Sequence, residues 1–435
     1  MTTFDGQLVI VEPDTEPFEP LTLTRSFCEL VLGSMSVLER YRRTWLRGNG
    51  PVVVLTGTHL AGVLRERLLD CKINEPDAIT SDEVLVVNPV FPPVSEVLRS
   101  LESLRDKRGA IVSGGQVVGV HLKREDLLES IRSQPYFPLS MKHLLGRINE
   151  VKEVRGLKRV AGFWDLVSVS LELLESDLSS VEAREWEGDV LGDVAVLGDR
   201  AKVILGKGAL VEPHVTFDVR KGPVIVEDDV VVMSCSRLQG PCLIERSSIV
   251  FPNSFVSTSF IGESCRIGGE VERSVFLGFS NKRHYGYAGH AYVGEWVNLG
   301  AGTTLSNLKN TYGTVRVRTK SGTLDTGHVF LGPVLGDHVK ASIGTSVFSG
   351  KRVGAFSHLY GTVTDDVPAF TIYAKGLRKE LIGLRLESAI ETARRMMSRR
   401  GKELTPAYER MIGEAFSITS TDRSSAGVKS GEFYL

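Results

Sequence analysis

Val226, Val232, Leu238, Ile244, Val250 and Val256 place a large apolar residue at every sixth position of the chain. Four residues after each of the first five come Val230, Ser236, Cys242, Ser248 and Ser254, all small or β-branched. A period of six suits neither the α-helical repeat nor the two-residue alternation of a half-buried strand. It is the pattern of a hexapeptide parallel β-helix, a coil whose flat faces stack strand on strand. The large residues fill the axis and the small ones fit the tight corners. The register returns at Leu191, Leu197 and Val203, at Val293, Leu299 and Leu305, and at Val347, Val353 and Leu359. The coil is therefore expected over residues 187–376.

Two interruptions break the beat. The register slips over 262–292, and 306–334 has no six-residue rhythm. Insertions in a solenoid become loops on one side, often the side that binds. The stretch NKRHYGYAGHAYVGEWVNLGAG (281–302) bridges the two and is rich in polar and reactive side chains.

Residues 1–180 read differently. QLVIV, PVVVL, EVLVVN and GAIVSGGQVVGV have the character of strands, while MSVLERYRR, AGVLRERLLD and VSEVLRSLESL carry apolar residues at helical spacing. The alternation predicts a mostly parallel sheet covered by helices, a Rossmann-like α/β domain. WDLVSVSLELLESDL (164–178) reads as its closing helix. In the tail, 377–435, Leu386, Ile390, Ala393 and Met397 form an apolar stripe beside Arg394, Arg395, Arg399 and Arg400. That stripe predicts a helix packed on the coil, with phosphate binding by the arginines as the other reading. Residues 420–435 read as a disordered end.

A net charge of -1 gives no reason to expect nucleic acid or an anionic membrane as partner. No apolar run approaches the roughly 20 residues that cross a bilayer, and the start has no secretory-signal pattern. Cys28, Cys71, Cys235, Cys242 and Cys265 form no CxxC pair, which points to reduced thiols in a cytoplasmic protein.

VGEWVNLGAGTTLSN, preceded by His284, resembles the acetyltransferase half of the bifunctional N-acetylglucosamine-1-phosphate uridyltransferase / glucosamine-1-phosphate N-acetyltransferase family. DVRKGPVIV, LGFSNKRHYGY, GEWVNLGAGTTLSNLKNTYGTV and FWDLV are similar to its divergent archaeal and bacterial branch, and GTVTDDVPAFTIYAKG resembles the closing segment of hexapeptide acyltransferases. The resemblance implies a left-handed coil, although parallel crossovers are normally right-handed. It also implies a homotrimer with active sites between subunits, acetyl-CoA as donor and an amino-sugar phosphate as acceptor. By position it makes His284 the catalytic base and Tyr287 an acceptor-side tyrosine. Asn298 and Asn307 would hold the amino sugar, and Thr345 would contact the acetyl donor. There are departures: Leu308 stands where the family has a tyrosine, Glu272 (with Arg273 beside it) where it has a lysine, and its upstream arginine has no clear counterpart.

Acetyl transfer from a thioester to a sugar amine needs a base for the amine proton and support for the tetrahedral oxyanion. An imidazole with a pKa near 6.5 suits the first task at neutral pH. Backbone amides of the 300–303 turn are candidates for the second, and Lys282 and Arg283 for pairing with the sugar phosphate. His290 is a rival base. Tyr285, Tyr292 and Trp296 read as packing, and His284 with His290 would make only two ligands of a metal site.

In the first region, PLTLTRSFCELVLGSMSVLER (20–40) is similar to the segment that follows the phosphate loop of sugar nucleotidyltransferases. That family closes backbone amides of a G-x-G-T-R loop around a triphosphate, a task that requires glycine. Here VEPDTEPFE stands in its place, Arg25-Ser26-Phe27 replaces Arg-Pro-Lys, and Asn88-Pro89 falls where a metal-binding aspartate is expected. Asp165 reads as a metal ligand or a helix start. The resemblance implies UTP, Mg²⁺ and a nucleotide contact at Arg25. The leading reading joins acetyl transfer to sugar-1-phosphate uridylyl transfer, giving UDP-N-acetylglucosamine. The alternatives are a nucleotidylyltransferase alone, or a trimeric sugar-nucleotide binding or assembly protein with decayed sites.

Overall fold

The apolar run Gln7–Val11 is buried along its whole length and forms β1, the inner strand of a seven-stranded sheet. The chain is described here from a computed structural model, for all residues except 1–5, 45–49, 106, 135–138, 183, 320–321, 377–379, 432 and 434–435. The further strands are β2 (Val52–Leu55), β3 (Cys71–Ile73), β4 (Glu83–Val87), β5 (Gly109–Ser113), β6 (Gln116–Lys123) and β7 (Val151–Glu153), in the order β3-β2-β1-β4-β6-β5-β7. β1 to β4 run parallel, but β6 is antiparallel to both its neighbours, so the sheet is mixed. The segment GAIVSGGQVVGV is a hairpin. Gly114 and Gly115, at φ 55° and 73°, supply the two left-handed positions of its turn, which a single apolar pattern conceals. The helical patterns fold as α1 (Val37–Thr44), α2 (Thr58–Arg67) and α3 (Ser95–Glu102), followed by α4 (Arg124–Ser133) and the closing helix α5 (Phe163–Ser179). The chain winds from β1 to β3 on one side and returns to β4 on the other. The crevice beyond the ends of β1 and β4 is thus a topological switch point, where ligands bind in open α/β sheets.

The six-residue beat builds three sheets of eleven, nine and eight short strands, parallel throughout except for the last strand of the first, Ile382–Gly383, which is antiparallel. They are the first, second and third faces of a left-handed parallel β-helix. Val232 stacks on Val250, three hexads later, and Val226 on Ile244. All these axial residues are fully buried in one core. The first turn departs from the sequence reading. Leu191 is 57% exposed, while Val190 and Val196 take the axial positions beneath Val211 and Phe217. That turn is longer than three hexads, which moves the register by one residue. Small corner residues do more than fit. Ser236 and Ser254 donate their hydroxyls to Phe251 O at 2.9 and 2.5 Å, and Thr303 donates to Gly300 O at 2.7 Å. Each satisfies a carbonyl that the turn leaves over.

The outer side of the third face is apolar: Ile204, Ile225, Leu243, Phe260 and Tyr292 share one core with α5 and the loops after β1. The Tyr292 hydroxyl bonds both the amide and the carbonyl of Val31, at 2.8 and 3.1 Å. At the corner between the third and first faces, Phe279, Trp296, His338, Phe356 and Phe370 stack as a ladder, with interplanar angles of 8°, 14°, 7° and 10°. Helices α6 (Leu386–Ser398) and α7 (Pro406–Ile418) cover it, Tyr408 and Phe416 meeting the ladder edge-on. Residues expected to be disordered instead form α8 (Ser420–Ser425), and Lys429 pairs with the backbone of Leu381 and Gly383. The end of that stretch lies partly outside the described residues. No described helix is long and apolar enough to cross a membrane, and all five cysteines are free.

Candidate active site

With the third face under the N-terminal domain and the aromatic corner under the tail, the second face and its corner with the first face are left open. His284 lies on that corner, in the turn Arg283–Gly286 that links the strand Asn281–Lys282 to Tyr287–Gly289. Arg283, His284 and Tyr285 are exposed, and the Arg283 guanidinium lies 4.6 Å from the centre of the Phe251 ring. Tyr285 is 75% exposed, so it does not pack within the chain as its sequence context suggests.

On the second face beside this turn the structure brings four side chains together. Asn307 donates to the Tyr287 hydroxyl at 2.8 Å and approaches His290 Nδ1 at 2.9 Å. Tyr287 donates to Glu272 at 3.3 Å. With the amide donating, the His290 proton sits on Nε2. Burial, with Arg273 and His328 adding positive charge, pulls the His290 pKa down to about 4. Burial and the Glu272 carboxylate push the Tyr287 phenol up to about 12. His290 is therefore a neutral orienting group, held against Phe330 at 5.4 Å, and a poor base at pH 7. Phe330 comes from the second insertion, which folds as a hairpin, Arg316–Thr319 with Gly322–Asp325. Between that insertion and α5 opens a cavity of about 690 Å³, lined in part by Lys221, Arg273, His290, His328 and Phe330.

Asn298 lies elsewhere, exposed on the first face, where its carbonyl accepts from Asn281 at 3.3 Å. One chain thus presents Tyr287 and Asn307 on one face, Asn298 on the next, and His284 on the edge between them.

Three residues are not where their expected roles need them. Lys282 is 2% exposed and occupies an axial position stacked on Ile267. Its ammonium donates inward to Gly268 O at 2.7 Å and Gly286 O at 2.8 Å, so it is not placed to meet a substrate phosphate. Thr345 is fully buried and its hydroxyl serves Ser342 O at 2.9 Å as a corner staple, so its side chain does not face the surface. The amides of Gly300, Gly302 and Thr303 all bond backbone carbonyls, which leaves none of them for an oxyanion.

The third is Arg25. It lies buried against the coil, its guanidinium 2.8 Å from Asp337 and 3.2 Å from Glu295, with Thr24 also on Asp337 at 2.8 Å. It bolts the N-terminal domain to the coil and does not reach the switch-point crevice. That crevice, about 470 Å³, is lined by Glu12, Asp14, Asn88, Gln116, Lys142 and Arg159 among others. Lys142, in the short helix Met141–Leu144, and Arg159, in the segment before α5, carry no motif and escape sequence reasoning. Glu12 fills part of the place of the missing glycine loop. Its carboxylate accepts from Phe27 N at 2.6 Å, Ser26 Oγ at 2.5 Å and Thr56 Oγ1 at 2.9 Å. Burial outweighs these bonds and raises its pKa to about 7. Asn88 donates to Val117 O at 3.0 Å. Asp165 accepts from Ala161 N at 2.9 Å and meets His328 at 3.3 Å, as a helix start tied to the insertion. Among the described residues no group of three or more His, Cys, Asp or Glu gathers to hold a metal. With Glu12 committed on both oxygens, this donor set does not fit Mg²⁺.

The N-terminal geometry has a clear relative. Residues 8–185 match the sugar nucleotidyl transferase family. The chain is 34% identical over 143 residues to the bifunctional sugar-1-phosphate nucleotidylyltransferase/acetyltransferase of Sulfurisphaera tokodaii, covering 32% of this chain and 36% of that one. It is 41% identical over 107 residues to the bifunctional protein GlmU of Azorhizobium caulinodans, covering 24% and 23%. With the GlmU of Nitrosospira multiformis the identity is 27% over 222 residues, covering 46% and 44%. The chain spans less than half the length of these curated relatives. The match of residues 8–185 to a sugar nucleotidyl transferase family, and of part of the chain to proteins named as bifunctional, agrees with an α/β domain joined to a hexapeptide coil.

Proposed function

We propose that the open edge of the coil transfers an acetyl group from acetyl-CoA to the amine of an amino-sugar phosphate, glucosamine-1-phosphate by resemblance. The N-terminal crevice takes the nucleotide side of a bifunctional enzyme of UDP-N-acetylglucosamine synthesis. The observation that carries this reading is the bonded set Tyr287, Asn307, His290 and Glu272 on the uncovered face beside His284. Tyr287 and Asn307 present hydrogen-bonding groups suited to sugar hydroxyls, and Arg283 and Arg273 offer exposed positive charge for a phosphate. The amine nitrogen attacks the thioester carbonyl, forming the C–N bond while His284 takes the amine proton. The tetrahedral intermediate collapses, the C–S bond breaks, and the coenzyme leaves as a thiolate that accepts a proton.

A homotrimer is part of the proposal. Because Asn298 and Tyr287 point from different faces, a complete site needs a second copy to bring its first face against the edge that carries His284. Tyr285, 75% exposed, and Ile343, 77% exposed, supply apolar surface at that corner. A cytoplasmic location goes with these substrates.

For the N-terminal domain the relatives' names support nucleotidyl transfer, with Lys142 and Arg159 as the crevice cations. A second reading, capture of a sugar nucleotide without transfer, is favoured by the committed Glu12 carboxylate. One assay separates them: thiol release from acetyl-CoA with glucosamine-1-phosphate, then UTP with Mg²⁺ and a pyrophosphate readout. Thiol followed by pyrophosphate supports both activities, and thiol alone supports the second reading. Absence of thiol release refutes the acetyl-transfer proposal.

A further inference from the structure

The corner between the first and second faces has a regular interior. In the middle six turns of the coil the residue just before the second-face strand is Ser236, Ser254, Gly269, Gly286, Thr303 and Thr345; the first two turns have Val194 and Val215 there, and the last has Gly361. Where it is serine or threonine, its hydroxyl binds a corner carbonyl from inside. In the two turns around His284 the hydroxyl is missing, and the structure shows why. Between Ile267 and Glu270 the corner is cut to the two residues Gly268 and Gly269, so neighbouring turns crowd one another. A Cβ on Gly286 would lie 2.2 Å from Thr303 O, and one on Gly268 1.8 Å from Arg283 O. No serine fits there. Gly286 O accepts from Glu270 N at 3.0 Å, but the carbonyls of Gly268 and His284 are left needing donors.

Lys282 supplies them. It departs from the axial row in the middle of the coil, between turns whose corners carry serine or threonine, and its Nζ lies 2.7, 3.4 and 2.8 Å from Gly268 O, His284 O and Gly286 O. An apolar residue would fill the axis as Ile267 and Leu299 do, so packing alone does not ask for an ammonium. Burial lowers its pKa to about 8, which keeps it protonated at pH 7. From the other side, Gly302 N donates to Tyr285 O at 2.9 Å. The turn carrying His284 is thus gripped from within by one cation and from the next turn by one amide.

We propose that Lys282 is a positioning residue: an internal ammonium clamp that replaces the corner hydroxyls and fixes the backbone from which His284 projects. The inference rests on the reading of His284 as the acetyl-transfer base, but the clamp itself is a property of the fold.

The test uses full-length Lys282→Met, which keeps the axial volume and removes the donors. Lys340→Met is its matched control. Lys340, on the outer side of the first face, is a second lysine whose ammonium caps backbone carbonyls, Trp296 O at 2.7 Å and His338 O at 3.0 Å, at the aromatic corner. Two readouts are taken: steady-state thiol release, and backbone hydrogen exchange of peptides covering 281–302 well below the melting temperature. Lys282→Met should lower kcat at least about tenfold with KM for both substrates within about twofold, and speed exchange across 283–286. Lys340→Met should lose comparable thermal stability with kcat unchanged. Equal kcat in Lys282→Met and wild type, or equal losses in both variants, overturns the proposal. If Lys282→Met does not fold, Lys282→Leu, which matches the axial Leu299 and also removes the donors, takes the same two measurements against the same criteria. If wild type itself releases no thiol, the acetyl-transfer reading has failed. Exchange at 283–286 then decides the clamp alone, unchanged exchange refuting it.

Discussion

The coil edge and the N-terminal crevice sit on one molecule and have treated their inherited positions in opposite ways. At the edge, His284, Tyr287 and Asn307 lie close together on one uncovered corner and face, and two of the three are bonded to each other. At the crevice the fold is kept and its contents are rewritten. Glu12 takes the Phe27 amide and two hydroxyls for itself, Asn88 serves the Val117 carbonyl of β6, and Arg25 lies in the interface with the coil. The difference teaches that a scaffold and its chemistry are held by separate interactions. The crevice persists because β1 and β4 still part at the switch point, whatever residues line it.

The comparison breaks most severely at Arg25. If it is a bolt, Arg25→Met leaves Asp337 buried without its cation and costs about 3–5 kcal/mol of stability. Thermal or denaturant unfolding measures the loss, while nucleotide affinity of the folded variant stays unchanged. Selective loss of nucleotide binding with normal stability would restore the nucleotide contact.

Glu12 gives the next largest effect, through pH. Its folded pKa of about 7 lies above the ordinary 4.5, so the folded state holds more protons between those values. Stability therefore falls as pH rises from about 4.5 to 7, by about 3 kcal/mol at most. Glu12→Gln should flatten the curve of unfolding free energy between pH 5 and pH 8, gaining on wild type at the alkaline end. An unchanged curve contradicts the buried carboxylate.

The smallest effect sharpens the other side. Asn307→Ala removes one donor that holds both Tyr287 and His290, a loss of about 1–2 kcal/mol. It should appear as roughly a tenfold drop in kcat/KM for thiol release, with little change in melting temperature because the cluster is only partly buried.

The coil was legible because its period is set by chain geometry: Val226 to Val256 must face the axis if strands of this length stack at all. The N-terminal helices were legible for the same reason. What stayed hidden depended on contacts distant in sequence. Lys282 reads as a free cation beside a histidine until Ile267 and Gly268 are placed beneath it. Thr345 reads as a donor contact until it joins the row of Ser236, Ser254 and Thr303. Arg25 reads as a phosphate ligand, and its partner Asp337 lies more than three hundred residues away. The hairpin at Gly114–Gly115 was visible in principle, since paired glycines between apolar runs mark such a turn.

The central claim is that the exposed corner carrying His284 is where acetyl transfer occurs. The most direct measurement is thiol release from acetyl-CoA by His284→Ala against wild type, with glucosamine-1-phosphate as acceptor and melting temperature followed in parallel. Loss of a general base predicts a fall in kcat of about 10²–10⁴ with the melting temperature preserved. Wild-type turnover in a well-folded His284→Ala protein would contradict the account.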